Sequence, residues 1–398
     1  MDFLIQTDKF HQIIFKKYFF RKIVKKDQTK RNLLCYYLSL ACQKYNDIDV
    51  LDDVLSQNYG AKFSVTCQTT GNISYICYTL RAVDPKYLND ESYNYEKLNN
   101  LFKDLLNPVI NNDEFDLKLF KRSKSMYKSN LLFEEENDDK KSFDLLIHHY
   151  FYRTDRDFLD YGDVNKIDRI TKKDLYNYYL DISKDETMEL VSGDVDKKFI
   201  TTNSNNFIPK YDIYFKRRYK QLEEIRDIKN TNQTYLSIVY DLKIYSNDHL
   251  LSIATSMLSY RFGGASDSLL FRIVREKYGL CYQIYSTYLS ASGILVVRTI
   301  IDKKNYSKTV EAIDEAFNQL LVDFDLEKVK KFFLLRQKER LDYQNDLISE
   351  FVYNKYFKSL PTSQERIKII NEIKMSDIKK AYKKMNKTFT YLYGDIDE

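Results

Sequence analysis

The stretch ITKKDLYNYYLDISKDETMELVSGDVD, residues 170–196, indicates a duplicated fold, because its pattern recurs further along the chain. Residues 373–397 read IKMSDIKKAYKKMNKTFTYLYGDID. Each stretch predicts a helix that is N-capped by an aspartate, Asp174 or Asp377, and is followed by a short apolar strand. Each strand ends in Gly-Asp. Such self-similarity is typical of an internally duplicated chain.

A second pair of landmarks supports the duplication. Gly60 follows an amphipathic helix and precedes Gly193 by 133 residues, whereas Gly263 follows another helix and precedes Gly394 by 131 residues. Both halves also contain two short alternating apolar segments joined by a tight turn, which is typical of a β-hairpin. Antiparallel hairpins covered by helices favour the α+β class. We therefore predict two homologous α/β-sandwich domains in tandem.

One polar stretch separates the two copies. TTNSNNFIP, residues 201–209, ends in proline and predicts an interdomain linker. The predicted domains are accordingly an N-terminal domain over residues 1–200 and a C-terminal domain over residues 210–398.

The composition excludes several classes of protein. The chain has 63 basic and 58 acidic residues, and this net charge of +5 is too small to indicate nucleic-acid binding. Its 5 cysteines include no C-x-x-C pair, which argues against a disulfide framework and indicates free thiols in a reducing compartment. We find no signal-peptide core and no apolar run of ~18 residues. We therefore expect a cytoplasmic protein that does not insert into a membrane.

The stretch LSYRFGGASDSLLFRIVREKYGLCYQIYSTY, residues 258–288, carries a family resemblance. It resembles the C-terminal-domain signature of the insulinase and mitochondrial-processing-peptidase family, and the chain looks closest to the short bacterial members with two domains. The matching positions are Gly263, Gly264, Ser268, Leu270, Phe271, Arg275, Glu276, Lys277, Gly279, Leu280 and Tyr282. The resemblance implies half of a clam-shaped zinc peptidase.

The zinc-binding motif of that family is missing. Active members carry H-x-x-E-H on a helix, where two histidines bind zinc and the glutamate is the general base. Counting back from Gly60, the motif should fall at residues 33–37, which read LLCYY, and the expected third-ligand region, residues 121–130, is basic. His148 and His149 point about 100° apart on a helix and cannot chelate one ion, so we expect them to be solvated or to cap a helix. We predict no metal in this chain and zinc in a partner.

Arg275 and Tyr282 are the candidate substrate-binding residues. Arg275 could instead pair with a carboxylate and Tyr282 could belong to the core, but both side chains can donate hydrogen bonds to peptide carbonyls. By resemblance, they would complete a partner's active site in trans. Gly263 and Gly264 predict either a tight turn that needs positive φ or the close approach of a peptide chain.

The leading hypothesis is a non-catalytic subunit of a heterodimeric zinc metallopeptidase that processes peptides. Its partner would be a homologous zinc-bearing subunit. The alternative is a non-enzymatic scaffold or peptide-binding subunit of a larger complex. A free-standing enzyme that uses Cys281 as nucleophile is a poor third, because no histidine lies near Cys281 in the sequence to activate it.

Overall fold

The computed structural model describes residues 2–154, 156–157, 160–197, 213–214, 224–231, 233–357 and 360–395. The chain divides into two compact units. The first comprises Met1–Glu136 and Phe158–Asp212, and the second comprises Asn137–Asp157 and Ile213–Glu398. The segment Asn137–Asp157 therefore clusters with the second unit although it lies within the sequence interval 1–200. The stretch proposed as a linker, residues 201–209, lies outside the described residues.

The first unit is built on one five-stranded sheet. Its strands are β1 (Phe3–Gln6), β2 (Gln12–Lys22), β3 (Lys62–Thr70), β4 (Ile73–Val83) and, after a small hairpin of β5 (Ile110–Asn111) and β6 (Glu114–Phe115), β7 (Glu186–Gly193). The spatial order is β1-β7-β2-β4-β3. Strands β1 and β7 are parallel, and the other neighbours in the sheet are antiparallel.

The second unit repeats this topology. Its strands are β8 (Glu224–Asp227), β9 (Thr234–Asp241), β10 (Cys281–Leu289), β11 (Ile294–Ile301) and β12 (Asn386–Tyr393). Their order is β8-β12-β9-β11-β10, and again only the first pair is parallel. Each strand thus has a counterpart at the same place in the other sheet, as expected of a duplication. The predicted class, α+β with two tandem sandwich domains, is confirmed.

Helices cover the sheets. Those of the first unit are α1 (Gln28–Leu40), α2 (Ile48–Gln57), α3 (Tyr95–Leu105), α4 (Leu117–Glu136), α6 (Val164–Ile167) and α7 (Lys172–Ile182), whereas α5 (Asp138–Tyr150) belongs to the second unit. The remaining α-helices of the second unit are α8 (His249–Ser259), α9 (Tyr306–Asn318), α10 (Leu326–Arg340), α11 (Gln344–Val352), α12 (Ser363–Glu372) and α13 (Met375–Lys383). In the first unit, Leu33 and Tyr37 of α1 pack with Phe15 and Leu80 in the main core.

The helix-and-strand repeat is present, but its capping residues differ from the prediction. Asp174 is not the N-cap of α7; Thr171 is, and Asp174 is the N3 residue of a capping box. In α13 the N-cap is Lys374, whose backbone N–H donates to Asp377 at N3 over 3.0 Å. Both aspartates therefore accept a hydrogen bond from the N-cap backbone, which satisfies an otherwise orphan donor.

One of the two landmark pairs is wrong. Gly193 and Gly394 lie at the ends of the equivalent strands β7 and β12, as predicted. Gly60 precedes β3, whose counterpart is β10, and the glycine before β10 is Gly279 rather than Gly263. Gly60 and Gly279 have φ values of 68° and 62°, a region that favours glycine. The similar separations of 133 and 131 residues therefore do not mark equivalent positions in the two units.

Helix α5 covers the face of the second sheet that is opposite to its main core. Its apolar residues Leu146, Ile147 and Tyr150 pack against strand residues such as Val239 and Tyr391. The apolar periodicity of this segment was visible in the sequence, but its packing partner was not.

The histidine pair at the end of α5 is neither simply solvated nor a helix cap. The ring of His149 lies 2.8 Å from a carboxylate oxygen of Asp227 on β8, and His148 contacts Asp157. The hydroxyl of Tyr391 donates to the same Asp227 carboxylate over 2.7 Å. His149 thus fastens α5 to the sheet.

Candidate functional site

Arg275 lies on a π-helical segment, Phe271–Lys277. The buried residues Ile273 and Val274 anchor this segment to the core, which leaves Arg275 on its exposed side. The guanidinium of Arg275 lies 4.6 Å from the centre of the Phe271 ring. It forms no ion pair with any residue that the structure describes. A weakly hydrated guanidinium held against an aromatic face is oriented and yet keeps its donors available.

Tyr282 owes its position to a β-bulge. Cys281 pairs with Ile301 and Gln283 pairs with Ile300, so Tyr282 is the extra residue at the start of β10. A bulge commonly re-aims a side chain. Tyr282 is 80% exposed, and its hydroxyl bonds to none of the described residues.

A short turn connects the two side chains. The N–H of Gly279 donates to the Arg275 carbonyl over 3.0 Å, and the N–H of Leu280 donates to the Val274 carbonyl over 3.0 Å. These bonds fix the end of the π-helical segment against the first residues of β10. Arg275 and Tyr282 therefore flank one rigid turn at an edge strand of the second sheet, and both present hydrogen-bond donors to solvent.

The surroundings of this turn are polar. Lys277 and Tyr278 both bond to the carboxylate of Glu315, over 2.7 and 2.8 Å. A cavity of about 770 Å³ adjoins the turn. Its lining is Tyr278, Gly279, Leu280, Asp302, Lys304, Asn305, Lys308, Glu311, Ala312 and Glu315. Charged and amide side chains of this kind suit a polar ligand such as a peptide backbone.

Cys281 does not look like a nucleophile. Burial raises the pKa of the Cys281 thiol, although the charge of Arg275 works in the opposite direction. A neutral, buried thiol is a poor nucleophile. The structure thus supports the expectation that Cys281 is a poor candidate nucleophile.

Gly263 and Gly264 do not form the turn that the sequence predicts. They end a second π-helical segment, Tyr260–Gly264, and neither has positive φ. Gly263 is buried, and a Cβ there would lie 2.5 Å from the backbone nitrogen of Ser286 on β10. Its lack of a side chain lets the helical segment approach β10, so the close partner is the protein's own strand rather than a bound peptide.

The position of the zinc motif, residues 33–37, lies on α1 and does not fit a metal ion. Leu33 and Tyr37 are buried, at 0% and 1% exposure. The hydroxyl of Tyr37 donates to the Val109 carbonyl over 2.6 Å, and the ring of Tyr36 lies 5.1 Å from that of Tyr127 on α4. Apolar and phenolic groups fill the space where nitrogen and carboxylate ligands would be needed. Within the described ranges, no three His, Cys, Asp or Glu side chains are grouped to hold a metal ion.

Sequence reasoning missed a buried polar cluster beside this position. Arg31 on α1 is 1% exposed, and its Nε donates to the Ser74 hydroxyl over 2.8 Å. Its Nη1 lies 3.2 Å from the Asp185 carboxylate. The thiol of Cys67 lies 3.6 Å from the same Ser74 hydroxyl. The sequence does indicate that Cys67 faces the core side of β3. It lies two residues after Val65, and residues two apart in a strand share one face, here the face that α1 covers.

The outward backbone groups of Val65, on the nearby edge strand β3, are already hydrogen-bonded to a side chain of the same chain. The backbone N–H of Val65 donates to the Ser39 hydroxyl over 3.0 Å, and that hydroxyl lies 3.2 Å from the Val65 carbonyl. A side chain that occupies the outward groups of an edge strand hinders the addition of another strand.

Comparisons with known proteins agree with this fold and with the missing metal ligands. Residues 169–332 match the family model described as "Peptidase M16 inactive domain". The chain is 27% identical to the "Probable inactive metalloprotease YmfF" of Bacillus subtilis (strain 168), over 98% of this chain and 94% of that protein.

Two solved structures show the same fold. A conserved protein from Enterococcus faecalis V583 superposes with a TM-score of 0.87 at 23% identity, covering 99% of this chain and 96% of that one. A peptidase M16 inactive domain from Pseudomonas fluorescens superposes with a TM-score of 0.77 at 16% identity, covering 99% and 95%.

The fold and the filled motif position define a peptidase-like protein that has no zinc site of its own at that place. Residues 169–332 are similar to the inactive-type domain of the M16, or insulinase, peptidase family, and nearly the whole chain is similar to a protein named as an inactive metalloprotease. In the described part of the chain, no helix is long and apolar enough to cross a membrane.

Proposed function

We propose that the chain is the non-catalytic subunit of a heterodimeric zinc metallopeptidase that processes peptides. The observation that carries the proposal is the pair Arg275 and Tyr282, which a π-helical segment and a bulge hold in solvent at one turn. The partner is a homologous subunit that supplies zinc, its ligands and the general base.

The two donors suit a peptide carbonyl in that partner's active site. The guanidinium of Arg275 and the hydroxyl of Tyr282 can both donate to one oxygen, and the charge of Arg275 strengthens its hydrogen bond. When water attacks the carbonyl, negative charge develops on that oxygen, so the same donors stabilise the transition state more than the substrate. Because these donors bind the transition state more strongly than the substrate, residues of this chain would increase the rate of a reaction in the partner's active site.

The free thiols support a reducing compartment, and we propose the cytoplasm as the location.

A second candidate function is a peptide-binding or scaffold subunit that does not contribute to catalysis. The exposure of Tyr282 supports this candidate equally well, since exposed tyrosines are common at binding surfaces.

The test is peptide cleavage by this chain, by a homologue that carries H-x-x-E-H, and by the mixture. We expect only the mixture to cut. The Arg275→Ala variant should lower kcat by about 10²-fold, the usual effect of losing one oxyanion donor, while association with the partner is retained. Tyr282→Phe should lower kcat by a similar or smaller factor.

Matched controls separate this role from general damage. Arg336→Ala removes another exposed arginine that lies over an aromatic ring, that of Phe332, and Tyr343→Phe alters another exposed tyrosine. Both controls should leave kcat unchanged. Full activity of the partner alone, or equal activity of all variants, would reject the role in trans and leave the scaffold function.

A further inference from the structure

The first unit contains a cavity that the proposed function does not use. The cavity has a volume of about 860 Å³ and lies at the start of β3 and the end of β4. Its lining includes two cationic side chains, Lys62 and Arg81, and two hydroxyl side chains, Ser64 and Thr79. Of the described residues that line it, none is acidic. A cavity of this size suits a small organic molecule.

The register of the sheet places the two cations opposite each other. Lys62 pairs with Arg81, and Ser64 pairs with Thr79. Leu80, between Thr79 and Arg81, belongs to the main core, so the four paired side chains lie on the other face of the sheet. Directly opposite Cβ atoms on antiparallel strands are about 5 Å apart, and like charges there are destabilising. A bound anion would relieve this repulsion.

The neighbouring charges do not remove the excess of positive charge. Lys62 is exposed and forms no ion pair within the part of the chain that the structure describes. A third cation, Lys16 on β2, lies directly across from Thr79 on the other side of β4. The acid that follows β4, Asp84, is fully buried, and its carboxylate accepts a hydrogen bond from the Tyr95 hydroxyl over 2.7 Å. Asp84 is not part of the cavity lining.

The donors suit a phosphate group better than a carboxylate. A guanidinium presents parallel N–H groups that match two phosphate oxygens, and the ammonium of Lys62 adds a second positive charge. The hydroxyls of Ser64 and Thr79 add two more donors. A phosphate monoester has about two negative charges and three terminal oxygens. It can therefore neutralise both cations, whereas a single carboxylate can neutralise only one.

Apolar groups form another part of the wall. Phe10, Phe63 and Val83 line the cavity together with the imidazole of His11. The His11 ring lies 4.2 Å from the ring of Tyr87, which supports it from one side. Such groups can cover the organic part of a phosphate ester, which inorganic phosphate lacks.

We propose that this cavity binds a small organic phosphate, with its phosphate group between Lys62 and Arg81 on the face of the first sheet opposite to the main core. This site is independent of any role in peptide processing.

The test is isothermal titration calorimetry of the full-length chain in a phosphate-free buffer. The probes are phenyl phosphate, inorganic phosphate and phenol, each at the same ionic strength, because salt screens such charges. We expect one molecule of phenyl phosphate to bind per chain. Inorganic phosphate should bind more weakly, because it does not use the apolar wall, and phenol should not bind measurably.

Three variants of exposed lysines separate the site from the general charge of the protein. Lys62→Gln should weaken the binding of phenyl phosphate about tenfold, the usual effect of losing a hydrogen bond to a charged group. Lys62→Arg keeps the charge and should retain binding within about threefold. Lys103→Gln, on α3 and outside the cavity lining, has the same change in charge and should bind like the unmodified chain.

Thermal unfolding gives a second readout. Without ligand, Lys62→Gln removes one of two facing cations and should raise Tm. Phenyl phosphate should raise Tm of the unmodified chain more than that of this variant. The proposal is overturned if phenyl phosphate does not bind, if it binds no more tightly than inorganic phosphate, or if Lys62→Gln and Lys103→Gln weaken binding equally. A lower Tm of Lys62→Gln without ligand would also overturn it, because there would be no repulsion for an anion to relieve.

Discussion

At the level of single residues, a local irregularity of the backbone determines which side chains of the candidate site are exposed to solvent. In β10, two consecutive residues, Tyr282 and Gln283, are exposed, which breaks the alternation that a regular strand would show. The bulge produces this break. Such a bulge can be predicted only when the register between β10 and β11 is known. The sequence therefore predicted Arg275 and Tyr282 as candidate site residues, but it could not show that both point to solvent.

The neighbouring glycines give a sharp prediction at this scale. Gly263→Ala would place a Cβ 2.5 Å from the Ser286 nitrogen and 3.0 Å from the Tyr285 carbonyl carbon. Because these are backbone atoms that cannot rotate away, we expect a loss of about 3 kcal/mol in the free energy of unfolding. Urea denaturation measures this loss.

Gly264→Ala is the matched control. A Cβ at Gly264 would lie 3.5 Å from the Ser259 carbonyl oxygen, which is ordinary van der Waals contact. Its free energy of unfolding should change by no more than about 0.5 kcal/mol. If the two variants unfold at the same urea concentration, the close approach of the π-helical segment to β10 is not the reason for glycine at position 263.

At the scale of helices and strands, local patterns were predictable and tertiary partners were not. The helix before each Gly-Asp and the hairpins follow from periodicity and turn residues, which act within a few positions of the chain. The place of Asp174 and Asp377 was missed by three residues because a capping box and an N-cap share the same residue types. The sheet partner of α5 was not predictable, since any exposed apolar sheet face would satisfy its apolar stripe.

Substitution of Arg298 tests whether its hydrogen bonds to α5 stabilise the packing of this helix on the second sheet. It is 9% exposed on β11, and its Nη2 donates to the Asp139 carbonyl over 2.6 Å and to the Ser142 hydroxyl over 3.0 Å. Arg298→Ala leaves these acceptors without a charged donor, so we expect a loss of about 2–3 kcal/mol in the free energy of unfolding. Lys328→Ala, which removes an exposed ion pair with Asp267, should cost no more than about 1 kcal/mol. Equal losses would mean that Arg298 contributes no more than a surface ion pair.

At the scale of the whole molecule, the duplication was predictable but the composition of the units was not. Repeated landmarks establish two copies of one plan, and both sheets have the same strand order. Asn137–Asp157 belongs to the second unit, so each unit contains two separate stretches of sequence. Sequence similarity between repeats cannot reveal such an assignment, because it records descent and not packing.

This assignment predicts the behaviour of a chain that is cut between its two sequence halves. A protease site introduced into residues 201–209 yields two pieces, and the N-terminal piece carries α5. Because Leu146 and Ile147 of α5 are buried against the second sheet at 0% and 4% exposure, we expect the pieces to elute together in gel filtration. Leu146→Asp would bury a charge in that contact and should allow the pieces to separate after cleavage. Leu132→Asp, on α4 at 47% exposure, carries the same change in charge and should not. Separation of the cleaved unmodified chain would show that α5 does not hold the second unit to the rest of the chain.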